Sequence, residues 1–210
     1  MKVLLVNGSP HKEGCTFTAL SEVAKTLNEE GVETEIFQLG TKPLAGCLAC
    51  QKCLELGKCV LNDRVNDCLE IAGQFDGFVF GTPVYFASAN GAMIAFMDRL
   101  FAANILNARS CFYLKPAAAV VSARRAGTTA TFDLMNKYFT ISQMPIVSSQ
   151  YWNAVHGNTP EEVRQDIEGL QTMRTLGRNM AFMLKCKEAG INAGVELPRR
   201  EEIVRTNFTR

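Results

Sequence analysis

Apolar positions along the chain follow two rhythms that alternate with one another. Residues 2–7 contain the run Val3-Leu4-Leu5-Val6 and stop at Gly8-Ser9-Pro10, as a strand buried on both faces and ended by a turn would. Residues 16–30 then space Phe17, Leu20, Val23, Ala24 and Leu27 at near-helical intervals, with Gly31 as a stop signal. Residues 33–39, with Ile36 and Phe37 among polar neighbours, predict a second strand. Strand, helix and strand make a βαβ unit, which implies parallel pairing. Further on, the pattern predicts a helix over 64–74, a third buried strand over 77–81 and a helix over 91–106. A fourth strand over 117–122 precedes a helix over 128–142, and a fifth short strand spans 146–149. One long amphipathic helix over 160–188 follows, with Pro160 in its first turn.

The alternation predicts an α/β fold. Five strands with a switch point beside the first suit a flavodoxin-like, doubly wound parallel sheet of order 2-1-3-4-5, rather than a six-stranded dinucleotide-binding sheet. Two segments break the rhythm. Residues 40–62 are a cysteine-rich insertion after strand two, and residues 190–210 are a polar, charged C-terminal tail, so the core domain is expected over residues 1–189.

Composition narrows the function. With 22 Lys plus Arg against 21 Asp plus Glu, the formal charge of +1 gives no field to steer a polyanion, so nucleic acid is not an expected partner. The apolar stretches are strand-sized, well short of the roughly 18 residues that span a bilayer, so no membrane partner is expected either. The first residues lack the pattern of an export signal. The expected location is therefore the cytoplasm, where the eight cysteines are more naturally free thiols or ligands than disulfides.

Three candidate loops follow the strands whose carboxyl ends flank the switch point. The first, Gly8-Ser9-Pro10-His11-Lys12-Glu13-Gly14-Cys15-Thr16, runs into a helix N-terminus. Backbone N–H groups, hydroxyls and the positive end of the helix dipole make such a turn suitable for a monophosphate. It matches neither GxGxxG nor GxxxxGK[ST], the fingerprints of a dinucleotide and a triphosphate. An ordinary turn with Thr16 capping its helix is the alternative. The second loop, from Gly81 to Gly91, contains Thr82-Pro83-Val84-Tyr85-Phe86. Its two aromatic side chains offer flat surface to a ring, or else pack in the core. The third, Ser122-Ala123-Arg124-Arg125-Ala126-Gly127-Thr128, places paired arginines on the same rim. They are either a solvated face or a cationic partner for an anionic flavin.

The insertion carries Cys47-Leu48-Ala49-Cys50-Gln51-Lys52-Cys53 and then Cys59, a C-x2-C-x2-C-x5-C pattern. Three thiolates two residues apart can hold three corners of an iron-sulfur cubane, and a fourth completes it. Zinc ribbons more often use two separated C-x2-C pairs, and unligated thiols remain the plainest alternative. No acidic cluster of the kind a receiver domain needs stands at strands one and three, where the residues are Asn7-Gly8-Ser9 and Gly81-Thr82.

Taken together, these residues resemble the NAD(P)H-dependent FMN reductase family of flavodoxin-like flavoproteins. The resemblance is carried by Val6-Asn7-Gly8-Ser9-Pro10 with Gly14 and Thr16, by Thr82-Pro83-Val84-Tyr85-Phe86 with Asp98-Arg99, and by Thr206-Asn207-Phe208. It implies that Ser9, Lys12, Cys15 and Thr16 hold the FMN phosphate, that Pro83, Val84, Tyr85 and Phe86 contact the isoalloxazine, and that Arg124 to Gly127 close over the flavin. His11, Gly14, Thr82, Ser122 and Arg125 complete the candidate set on the same loops. The compact cysteine motif is similar to that of the family's iron-sulfur flavoprotein branch. That likeness implies a 4Fe-4S cluster on Cys47, Cys50, Cys53 and Cys59 and a homodimer or homotetramer. The expected function is an oxidoreductase that moves electrons through FMN between NAD(P)H, or a reduced carrier such as ferredoxin, and a small acceptor. The competing expectation is an FMN-binding or metal-binding redox sensor or carrier without NAD(P)H turnover.

Overall fold

Val3 to Val6 need partners on both sides of their strand and on both of its faces. The protein, described by a computed structural model over residues 1–106, 111–201, 204, 206 and 208, supplies all four. β1 (Lys2–Asn7) lies inside the sheet, with β2 (Glu33–Gln38) parallel on one side and β3 (Gly77–Tyr85) parallel on the other. β5 (Ala117–Ala123) and β6 (Ala154–His156) continue the parallel array beyond β3. The two-residue β4 (Ser88–Ala89) folds back antiparallel onto the end of β3. The parallel path β2-β1-β3-β5-β6 is the expected flavodoxin-like order once the hairpin strand is set aside.

Alternation along the strands divides the core into two layers. Leu4, Val6, Phe78, Phe80, Ala117 and Ala119 face α3 (Arg64–Ala72), α4 (Gly91–Leu106) and α5 (Thr128–Ile141). Val3, Leu5, Val79, Ala118 and Val120 face α1 (Cys15–Glu29), α6 (Pro160–Gln165) and α7 (Ile167–Asn192). Aromatic rings fill the first layer, with Phe78 edge-on to Phe112 at 4.8 Å between ring centroids. The second layer is mostly aliphatic. The short α2 (Cys53–Leu56) lies within the insertion.

The structure corrects the sequence expectation at three places. The segment expected as the fifth strand, 146–149, makes only one isolated bridge, Ile146 to Ala117. Ser149 Oγ instead hydrogen-bonds with the Tyr151 carbonyl and the Asn153 side chain, turning the chain away. Pairing with β5 resumes at β6, in a stretch that reads as a loop in sequence. The long helix expected over 160–188 is two helices. Asp166 leaves helical geometry at ψ 77°, caps α7 through Gly169 N–H at 2.9 Å and also accepts from His156 N–H at 2.6 Å. Finally, residues 82–85 are strand, not loop. β3 runs to Tyr85 and turns back through Phe86 and Ala87, both left-handed, as a two-residue type I′ hairpin requires. In the tail expected over 190–210, α7 extends to Asn192 and residues 195–201 have no regular structure. Asn207 lies outside the described residues.

Candidate functional site

The three loops meet at the carboxyl edge of β1, β3 and β5. Backbone joins the first two: Gly8 N–H donates to Gly81 C=O at 2.8 Å, and Asn90 Nδ2 donates to Gly8 C=O at 2.6 Å. Thr16 and Ser122, both buried, share a hydroxyl hydrogen bond of 2.8 Å that ties the first loop to the third. The second and third touch at Gly127, where φ is +94° and an added Cβ would come 2.6 Å from Ala87 Cα. Only glycine satisfies both demands.

Within the first loop, Asn7 Oδ1 accepts from Ser9 N–H, and Ser9 Oγ accepts from His11 N–H at 3.2 Å. Gln38, the last residue of β2, donates to Ser9 C=O and accepts from Asn7 Nδ2, each at 2.6 Å. These bonds shape the turn while His11 and Lys12 stay exposed. Helix α1 begins after Gly14 with no side-chain cap. Thr16 is therefore not the cap, and the open N–H groups of the first turn suit an oxyanion. The Cys15 thiol donates to Gly157 C=O at 3.7 Å, and burial pushes its pKa up, so it stays protonated near neutrality.

Not every candidate is free to touch a ligand. Thr82 is fully buried, with its hydroxyl donating to Pro83 C=O and accepting from Asn90 N–H. Pro83 and Val84 are half-buried. Tyr85 and Phe86 are not core residues, since they are 46% and 106% exposed at the hairpin tip. Arg124 and Arg125 are exposed on the rim.

The insertion is built differently. Ala49 and Gln51 have φ of 52° and 57°, a costly geometry for residues with a Cβ. The two reversals bring Cys47, Cys50, Cys53 and Cys59 around one apolar pocket, also lined by Leu61 and Arg99. Burial raises the pKa of Cys53, and the charges of Cys47, Cys50 and Cys59 add to the rise. Among the described residues, no group of three or more metal-ligating side chains is drawn tightly enough to hold a single ion.

Over residues 1–159 the sequence matches the family model described as NADPH-dependent FMN reductase. The chain belongs to the NADPH-dependent FMN reductase family. An iron-sulfur flavoprotein of Methanocaldococcus jannaschii is 34% identical over 194 residues, covering 88% of this chain and 98% of that protein. An iron-sulfur flavoprotein of Methanosarcina thermophila is 28% identical over 193 residues, covering 88% and 96%. Among solved structures, a flavone reductase aligns with a TM-score of 0.68 at 20% identity, over 90% of this chain and 64% of that one. A flavodoxin from the domain Archaea aligns with a TM-score of 0.58 at 14% identity, over 88% and 99%. These structural likenesses speak for the fold.

Membership makes the chain an FMN-binding, flavodoxin-like oxidoreductase by family, and the crevice fits that cofactor. An uncapped helix start, a preshaped loop with Lys12 at its edge and exposed aromatic and cationic rims match a phosphate at one end and a flat ring at the other. In this chain, sequence reasoning missed the residues that hold the insertion in place. Arg64 donates twice to Gln38 C=O, at 3.2 and 2.7 Å, and closes the insertion at its base. Asn66, buried, accepts from Cys59 N–H and donates to Cys59 C=O, each at 2.9 Å. Arg99 entered the sequence reading only within a family motif. The available signal was a charged pair, Asp98-Arg99, inside an otherwise apolar helix.

Proposed function

We propose that this FMN reductase-family protein moves electrons through FMN between NAD(P)H, or a reduced carrier such as ferredoxin, and a small acceptor, with an iron-sulfur cluster on Cys47, Cys50, Cys53 and Cys59. The observation that carries the reading is the apolar pocket lined by all four thiols. Its loop starts at Gln38, whose side chain also braces Ser9 in the phosphate loop. Bound FMN supplies a ring that takes up a hydride and passes electrons on singly. The chain itself binds and orients. The N–H groups at the start of α1, with Ser9 and Lys12, hold the phosphate. The hairpin tip at Tyr85 and Phe86 offers flat apolar surface to the ring. Arg124 and Arg125 supply positive charge on the rim, which favours the electron-rich ring. Four thiolates sharing one cavity repel one another, and a cationic iron core relieves that repulsion.

The same reading makes the protein a homodimer or homotetramer in the cytoplasm. Phe86, Tyr151, Trp152 and Phe182 are exposed, and aromatic surface of this kind is commonly covered by a partner. Among the described residues no helix is long and apolar enough to cross a membrane.

The test is an anaerobic visible spectrum with flavin, iron, sulfide and zinc analysis on one sample. About one FMN and about four iron and four sulfide per chain are expected. Stoichiometric zinc without sulfide overturns the cluster, and absence of flavin overturns the whole reading. Full flavin occupancy with neither NAD(P)H oxidation nor reduction by ferredoxin favours a sensor.

A further inference from the structure

Helix α4 is apolar along most of its length, yet Arg99 sits in it at 2% exposure. A buried guanidinium is costly unless its five N–H groups all find acceptors. They do, and every acceptor lies in the cysteine insertion or at Asp63 immediately after it. Nη1 reaches Asp63 Oδ2 at 2.7 Å and Ala45 C=O at 3.3 Å. Nη2 reaches Asp63 Oδ1 at 2.9 Å and Leu61 C=O at 3.0 Å. Nε donates to Cys59 Sγ at 3.2 Å. One side chain thus grips the loop before its first cysteine and after its last. Four of the five contacts go to oxygen, as expected of a structural arginine. The fifth goes to sulfur, which is a weak acceptor as a thiol and a much better one as a ligand thiolate.

We propose that Arg99 is a positioning and tuning residue of the four-cysteine site: it closes the loop and, through Nε–H to Cys59 Sγ, raises the reduction potential of the cluster bound there. This rests on the iron-sulfur reading of that site. One-electron reduction adds one negative charge to the site, and a nearby cation with a hydrogen bond to a ligand sulfur favours the more negative state. Asp63, paired bidentately with Arg99, offsets part of that cation and holds the potential below the value Arg99 alone would set. The two residues therefore pull in opposite directions.

The test is a potentiometric titration with dithionite, read by electron paramagnetic resonance, on flavin-loaded protein whose iron and sulfide have been counted. R99Q should shift the midpoint to more negative potential. D63N should shift it to more positive potential, since the asparagine Oδ1 keeps the α3 cap and one acceptor for Arg99 while the charge and the second acceptor are lost. R99K should retain most of the potential but load iron less completely, because the ammonium lacks the planar fork. If R99Q holds no iron, the upward shift in D63N against the wild type decides. A structural clamp alone would lower loading without opposite shifts. Shifts of the same sign, or an unmoved D63N midpoint at full loading, overturn the inference. Wild-type protein without iron and sulfide overturns the reading of the site itself, and this inference with it.

Discussion

The flavin crevice and the cysteine loop both leave the carboxyl edge of the sheet, but they are held by different forces. In the crevice, the loops continue from buried strands, and backbone bonds such as Gly8 to Gly81 knit them together. The crevice geometry follows from the sheet. The cysteine loop has only the four-residue α2 as regular structure, left-handed Ala49 and Gln51, and exposed Cys47 and Cys50. It is held from outside by Arg64, Asn66 and Arg99. A site on strand ends is prepared before its ligand arrives, whereas a site on a strained loop depends on a few buried polar contacts and on what it binds.

If the two regions are separable, Cys50→Ser should give the largest effect. Iron and sulfide fall from about four per chain to almost none, while flavin occupancy, read by absorbance after gel filtration, stays at the wild-type level. Loss of flavin together with iron would break the comparison.

Asp63→Ala tests whether the loop's support also stabilises the domain. It strands the buried Arg99 cation and removes the side-chain cap of α3, so unfolding should become easier by about 3–5 kcal/mol. Urea denaturation of wild type and variant measures this. An unchanged midpoint would mean that the loop and the core are uncoupled.

Gly127→Ala probes the crevice in turn. The methyl group meets the backbone of Ala87 at a positive φ, which pushes apart the two loops proposed to contact the flavin. FMN should bind roughly tenfold more weakly, as about 1.4 kcal/mol of strain implies, with iron content unchanged. Fluorescence titration of the flavin-free protein reads this directly.

The smallest effect concerns Cys68, a fully buried thiol on α3 just beyond the loop. Burial raises its pKa far above the ordinary value of 9.0. Above that value the unfolded chain releases a proton that the folded chain keeps, so stability falls as pH rises. Cys68→Ala should flatten the alkaline limb of a stability profile measured between about pH 8 and about pH 10. In metal-free protein, iodoacetamide should label exposed Cys47 and Cys50 and spare Cys68.

Much of this protein is determined locally. Apolar runs separated by helical repeats predicted the parallel sheet and its order, because burial on two faces leaves a strand little freedom in composition. The phosphate loop and the cysteine spacing were legible for the same reason: a turn into a helix and four thiols in one short segment are sequence-local. What the pattern misplaced depended on competition between backbone and side chain. Ser149 ended a strand before it began, Asp166 split a helix, and two left-handed residues turned an apparent loop into a hairpin. Tertiary structure alone decided which polar groups are committed and which stay available. Thr16 bonds to Ser122 across the crevice instead of capping its helix, Thr82 is consumed by Asn90, and Arg99 reaches 36 residues back along the chain to Asp63. Such contacts join residues far apart in sequence, and the need of a buried charge for partners appears only once the fold has buried it.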